Sequence, residues 1–77
     1  MSISVKFFAS LRETLNKADV ELDASTISTA ADVWKTATDN HEPIGNMLVA
    51  INMEYASLDE AVKDGDEVAF FPPVTGG

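Results

Sequence analysis

No cysteine occurs anywhere in the 77 residues. That absence excludes a disulfide framework, a thiolate zinc site and a cysteine nucleophile, so any sulfur the chain handles must be imported. Histidine appears once, at His41 between Asn40 and Glu42, with no second histidine to complete a metal site, and it reads as a solvated loop residue. Basic residues are scarce: five against thirteen acidic ones, a formal net charge of −8. This balance repels phosphate backbones and anionic headgroups. It sets aside nucleic acid and membrane as partners, and it leaves either a solubilising surface or a docking surface for a basic protein. No unbroken apolar run is longer than residues 47–51, far short of the roughly 18 to 20 residues that span a bilayer. Residues 1–11 alternate rather than forming a signal-peptide core, so the expected location is cytoplasmic.

What is present suffices for one core. With 45% hydrophobic and 23% charged residues the chain is expected to fold, and with no staples it must rely on regular, well-packed elements. Ile3, Val5 and Phe7 alternate with Ser4, Lys6 and Phe8, the period-two pattern of a half-buried strand. Ser10 and Glu13 have capping-box spacing, predicting a short helical turn over residues 11–16, and Val20 and Leu22 mark a second strand over 18–22. Ala30, Val33, Trp34 and Ala37 stand at i, i+3, i+4 and i+7, which predicts the main helix, capped by Ser28 or Thr29, with Asp32 at its positive end and Trp34 in the core. Residues 47–51 read as a central strand buried on both faces and 55–58 as a short edge strand. Leu58 and Val62 suggest a helical turn, and Asp64-Gly65 a tight reversal into a last strand over 66–71. The expected class is α+β: a mixed sheet of four to five strands on one main helix plus short helical turns.

Val68 and Phe70 share one face of the last strand, which leaves Glu67, Ala69 and Phe71 on the other. If the first and last strands lie side by side, Phe8 and Phe71 form an exposed aromatic patch, which either docks a partner or contacts the tail. The acidic group Asp59, Glu60, Asp64, Asp66 and Glu67 reads as a solvated face. Asp64-Gly65-Asp66 lacks the further ligands of a calcium loop, and no metal site is expected.

Pro72 and Pro73 stop the sheet, dividing the chain into a domain over 1–71 and an extended tail over 72–77. Six residues at about 3.3 Å each reach roughly 20 Å beyond the sheet. Val74-Thr75-Gly76-Gly77 has no charged side chain, and its last two residues fit a channel too narrow for others, so the α-carboxylate of Gly77 is a handle for activation. A partner using ATP would turn that carboxylate into a reactive mixed anhydride. Nothing near the tail in the sequence supplies a base or a metal for the step, so the activating machinery is expected to belong to another protein.

Residues 64–77, DGDEVAFFPPVTGG, closely resemble the end of the molybdopterin synthase small-subunit family. Val5-Lys6-Phe7-Phe8-Ala9 with Arg12-Glu13, and Val49-Ala50-Ile51-Asn52, resemble its first strand and its middle. The resemblance implies a β-grasp, ubiquitin-like fold and a sulfur carrier without catalytic activity of its own. It implies that Gly77 is adenylated by a ubiquitin-activating-like adenylyltransferase using ATP and Mg, converted to a thiocarboxylate, and brought to the large synthase subunit. There its sulfur passes to cyclic pyranopterin monophosphate, in an assembly of two large and two small subunits. Gly76 is implied as the second slender residue. Phe8, Phe71, Arg12 and Tyr55 are implied as docking residues, Tyr55 departing by its hydroxyl from an apolar position, with Pro72, Pro73, Val74 and Thr75 as the partner-contacting tail. No cofactor is expected on the chain itself. Three other readings share features with this one: a ubiquitin-like modifier joined to lysines through Gly77, a thiamine-pathway sulfur carrier, and a plain interaction module. The Phe-Phe-Pro-Pro-Val-Thr run argues for molybdopterin over thiamine.

Overall fold

The computed structural model describes residues 2–42 and 47–72. Strand β1 (Ser2–Phe7) keeps the predicted alternation, with Ile3, Val5 and Phe7 buried. Helix α1 (Ala9–Leu15) follows at once and starts two residues before the predicted turn. The Ser10–Glu13 capping box does not form; Phe8 holds the N-cap position without a side-chain bond, and Ala9 takes φ 52°. The physical reason lies in packing: the early start turns Leu11 into the core, where it is buried. Asn16 ends the helix in the left-handed region, which asparagine tolerates.

Strand β2 (Asp19–Asp23), one residue later than predicted, pairs antiparallel with β1. A single 3₁₀ turn at Ala24–Thr26, not anticipated, is capped by the Asp23 carboxylate, which accepts from the Ser25 N–H. Helix α2 (Ala30–Ala37) is the main helix, with Ala30, Val33, Trp34 and Ala37 buried as predicted. Of the two candidate caps, Thr29 is the one used, in a reciprocal capping box with Asp32. Lys17 reaches across to the other end and donates to the Ala37 carbonyl at 2.9 Å, placing a cation at the negative pole.

Strand β3 (Leu48–Ile51) joins β4 (Glu54–Ala56), an edge strand set one residue before the predicted one, and strand β5 (Glu67–Phe71) ends the described sheet. The order is β2-β1-β5-β3-β4, with β5 central and parallel to β1 and all other pairs antiparallel. This mixed sheet with helical cover is a β-grasp, ubiquitin-like fold. β3 is an interior strand whose two middle residues are buried on opposite faces, as predicted, while Leu48 and Ile51 at its ends are half-buried: Val49 and Ile51 register with Phe70 and Val68 toward the helix, and Leu48 and Ala50 register with Phe71 and Ala69 on the other side. An apolar run of this length does not reveal which face is covered.

The predicted helical turn over 58–62 is absent. Those residues pair instead with the lead-in to α2, through an Ala61–Thr29 bridge and a Val62 N–H to Ser28 carbonyl bond of 2.9 Å, which brings Val62 into the core. The reversal at Asp64-Gly65 is present, with Gly65 at φ 89°. Asp66 leaves the solvated group predicted for it: it is buried, and its carboxylate accepts from the Lys63 N–H and the Asn52 side chain, both at 2.9 Å.

The core lies between the sheet and α2. Trp34 meets Phe70 and Phe7 edge-on at 5.0 and 6.0 Å, and those two phenylalanines stack at 5.7 Å. The buried indole N–H donates to the His41 carbonyl at 2.7 Å, and the His41 ring lies edge-on to the indole at 6.4 Å. Among the described residues no helix is long and apolar enough to cross a membrane.

Candidate functional site: the open face of the sheet

Helix α2 covers one face of the sheet and leaves the other open. Register assembles a single row across that open face: Asp19 opposite Lys6, Lys6 opposite Ala69, Ala69 opposite Ala50, and Ala50 opposite Tyr55. Two alanines in the middle make a low floor, and larger side chains on both sides make walls. The result is a shallow trough of about 500 Å³ in which Phe8, Phe71, Tyr55 and Met53 stand around Ala50 and Ala69.

The aromatic patch expected from the pattern of the first and last strands is present. The Phe8 and Phe71 rings lie 5.5 Å apart because the Phe8 N–H donates to the Phe70 carbonyl, carrying the β1–β5 ladder one residue past β1. Tyr55 joins from β4, 6.1 Å from Phe71. Exposure is 43% for Phe8 and 73% for Tyr55, so this is apolar surface in contact with water rather than core. Arg12 is exposed on α1 and does not line the trough. Pro72 is half-buried directly after β5; Pro73, Val74, Thr75, Gly76 and Gly77 lie outside the described residues.

The rim is charged. Lys6 lies 3.7 Å from Asp19 and 3.8 Å from Glu67, so its ammonium is shared between two carboxylates. Beside this rim, Asn52 is clamped onto the start of β5. Its side-chain oxygen accepts from the Glu67 N–H at 3.0 Å, its backbone N–H donates to the Glu67 carbonyl at 2.8 Å, and its amide donates to Asp66. The Lys63 N–H, then the Asn52 amide, hold the Asp66 carboxyl below the usual carboxylate range. Backbone donors at Ser28 and Thr29 do the same for Asp32, and the Ser25 N–H for Asp23. These three carboxylates fix turns and caps. Among the described residues no group of three or more potential ligands could hold a metal ion.

Ala50, Ala69 and Met53 escaped identification as site residues, although Ala69 was on the predicted outer face. A small residue between large ones on an outward-facing strand position is the sequence signal for a trough floor. Met53 gave no signal at all.

The arrangement offers apolar recognition at the end of the sheet from which the chain exits, with Lys6 and Glu67 paired at its rim. A model of the ThiS family matches residues 5–77. The chain is 39% identical over 84 residues to the molybdopterin synthase sulfur carrier subunit of Haemophilus influenzae, covering 97% of this chain and 99% of the relative. The subunit of the same description from Escherichia coli gives the same identity and coverage. Among solved structures, that of SAMP1 from Haloferax volcanii superposes with a TM-score of 0.81 at 32% identity, covering 100% of both chains.

Proposed function

The chain belongs to the ThiS family, and from that premise we propose that it is the sulfur carrier subunit of a molybdopterin synthase. The observation that carries the reading is the 39% identity to two such subunits over nearly their whole length. An exposed aromatic trough beside the exit of the chain supports it, because a carrier must be held by its fold while its tail is worked on elsewhere.

In this reading an adenylyltransferase of the ubiquitin-activating type, with ATP and Mg, joins AMP to the Gly77 carboxylate, and pyrophosphate leaves. A sulfur nucleophile attacks the acyl carbon, AMP departs, and Gly77 carries a C–S bond where a C–O bond had been. The tail, Pro72 to Gly77, then enters the active site of the large subunit, where the thiocarboxylate sulfur displaces an oxygen substituent from a carbon of cyclic pyranopterin monophosphate, and water then cleaves the acyl–sulfur bond, leaving the sulfur on the pterin and restoring the Gly77 carboxylate. Gly76 keeps the tip slender. Phe8, Phe71 and Tyr55 provide the docking surface, and Arg12, exposed on α1 outside the trough, is a further basic contact. The chemistry belongs to the partners, and the carrier supplies address and cargo.

Intact mass tests this directly. After incubation with ATP, the host's activating enzyme and a sulfur source, the protein should show one oxygen replaced by sulfur, localised to Gly77. Deleting Gly77 should abolish the gain while the fold remains. An unchanged mass under conditions that charge a known carrier would overturn the reading. A modifier role is the second reading, favoured by the likeness to SAMP1, described as a small archaeal modifier protein, at 33% identity. Slower-migrating conjugates on lysines in cells producing the chain would support it.

A further inference from the structure

Met53 is the most exposed large apolar side chain among the described residues, at 91%. It stands second in the two-residue turn joining β3 to β4, where Asn52 and Met53 have φ 51° and 71° and Ile51 pairs with Glu54 across the turn. Positive φ at both central residues is the geometry of a type I′ hairpin, which strongly favours glycine or asparagine at these positions. An unbranched but bulky methionine there is strained.

The distribution of such strain is selective. Seven described residues have positive φ: Ala9, Asn16, Asp39, Asn40, Asn52, Met53 and Gly65. All but two are asparagine, aspartate or glycine, the types that enter this region readily. The two exceptions flank the trough, Ala9 directly after Phe8 on one side and Met53 on the other. Met53 is also held rather than loose, because its neighbour Asn52 makes three hydrogen bonds to Asp66 and Glu67. Its side chain lines the trough yet is nearly all in water, so the folded chain alone gains little from it.

We propose that Met53 is a docking residue of the open face, contributing a preorganised and adaptable apolar wall to which a partner's apolar side chain fits over Ala50 and Ala69. The partner surface around that side chain is basic. Glu67 and Asp19 leave one lysine shared between them at the rim, Glu54 follows Met53 directly, and the whole chain carries −8. A thioether suits this position, since methionine packs against uneven surfaces and against aromatic rings such as Tyr55 and Phe71. The inference rests on the carrier reading and names the occupant of its docking face: an apolar side chain on a basic surface of the large subunit.

The test pairs binding with stability, because the inference requires them to move in opposite directions. The full chain and its Met53→Gly, Met53→Asn and Met53→Leu variants are titrated calorimetrically against the host's large subunit at low and high salt, and each is unfolded in urea. Met53→Gly creates an Asn-Gly turn and should raise the urea midpoint, as should Met53→Asn to a smaller extent. Both should weaken binding by roughly tenfold. Met53→Leu should keep binding within about threefold, and binding of the unsubstituted chain should weaken as salt rises. Binding unaffected in both Met53→Gly and Met53→Asn overturns the role of Met53 alone. A lowered urea midpoint in both makes it a structural residue, and salt-independent binding removes the basic partner surface. If the unsubstituted chain does not bind the large subunit, the carrier reading falls first and this inference with it.

Discussion

Phe7 and Phe8 are neighbours in sequence, as are Phe70 and Phe71, yet each pair is divided between opposite faces of the same sheet. On the covered face Phe7 and Phe70 stack against each other and meet the buried Trp34. On the open face Phe8 and Phe71 lie in contact under water, beside Tyr55. Residue chemistry is the same on both sides, so register alone decides whether an aromatic ring stabilises the fold or waits for a partner. A slip of one residue between β1 and β5 would exchange the two roles.

The largest effect should come from the covered face. Phe70→Ala or Trp34→Ala is expected to cost about 3 to 5 kcal/mol, enough to unfold much of a small domain, as read by urea denaturation. A loss under about 1 kcal/mol would mean that the covered face is not the core. Phe71→Ala should invert the balance, weakening large-subunit binding by tenfold or more while lowering stability far less than Phe70→Ala. Equal losses in both measurements would break the comparison and assign Phe71 to the core.

A smaller effect belongs to Asp66, which fastens the turn before β5. Its folded-state pKa is depressed by the Lys63 N–H and then by the Asn52 amide, so its contribution is complete above the ordinary carboxylate value and fades as pH falls through the depressed one. Asp66→Asn should therefore be less stable than the unsubstituted chain at neutral pH, with the gap narrowing below about pH 4. Urea midpoints across that range check the sign; a gap that widens on acidification would contradict it. The smallest effect is expected for Lys6→Ala, since its two ion pairs are long and solvated. Stability should change by less than about 1 kcal/mol, and salt should reduce even that.

Much of the covered face was legible because burial imposes a period. Ile3, Val5 and Phe7 at spacing two, and Ala30, Val33, Trp34 and Ala37 at helical spacing, specify both element and direction. Where tertiary pairing competes with local preference, the sequence misled. Ser10 and Glu13 have the spacing of a cap, but α1 begins at Ala9 and carries Leu11 into the core. Leu58 and Val62 have the spacing of a helix, but the backbone around them finds partners before α2. On the open face, Phe8 and Phe71 were legible because aromatics on a polar side of a strand are conspicuous. Tyr55 came from family resemblance, and the alanine floor needed the register of three strands. Met53 was hidden because turn chemistry is read from glycine and asparagine, and methionine at positive φ breaks that code.

The central place of β5 carries one more consequence. The strand at residues 67–71 separates the β1–β2 hairpin from the β3–β4 hairpin, so neither half can join the other until the ribosome has translated through Phe71. Assembly of the sheet thus awaits synthesis of β5, and a chain interrupted before it would lack both the keystone strand and one wall of the trough. Partners that grip the trough would thereby screen out chains interrupted before β5, since Ala69 and Phe71 would be missing from the surface they hold.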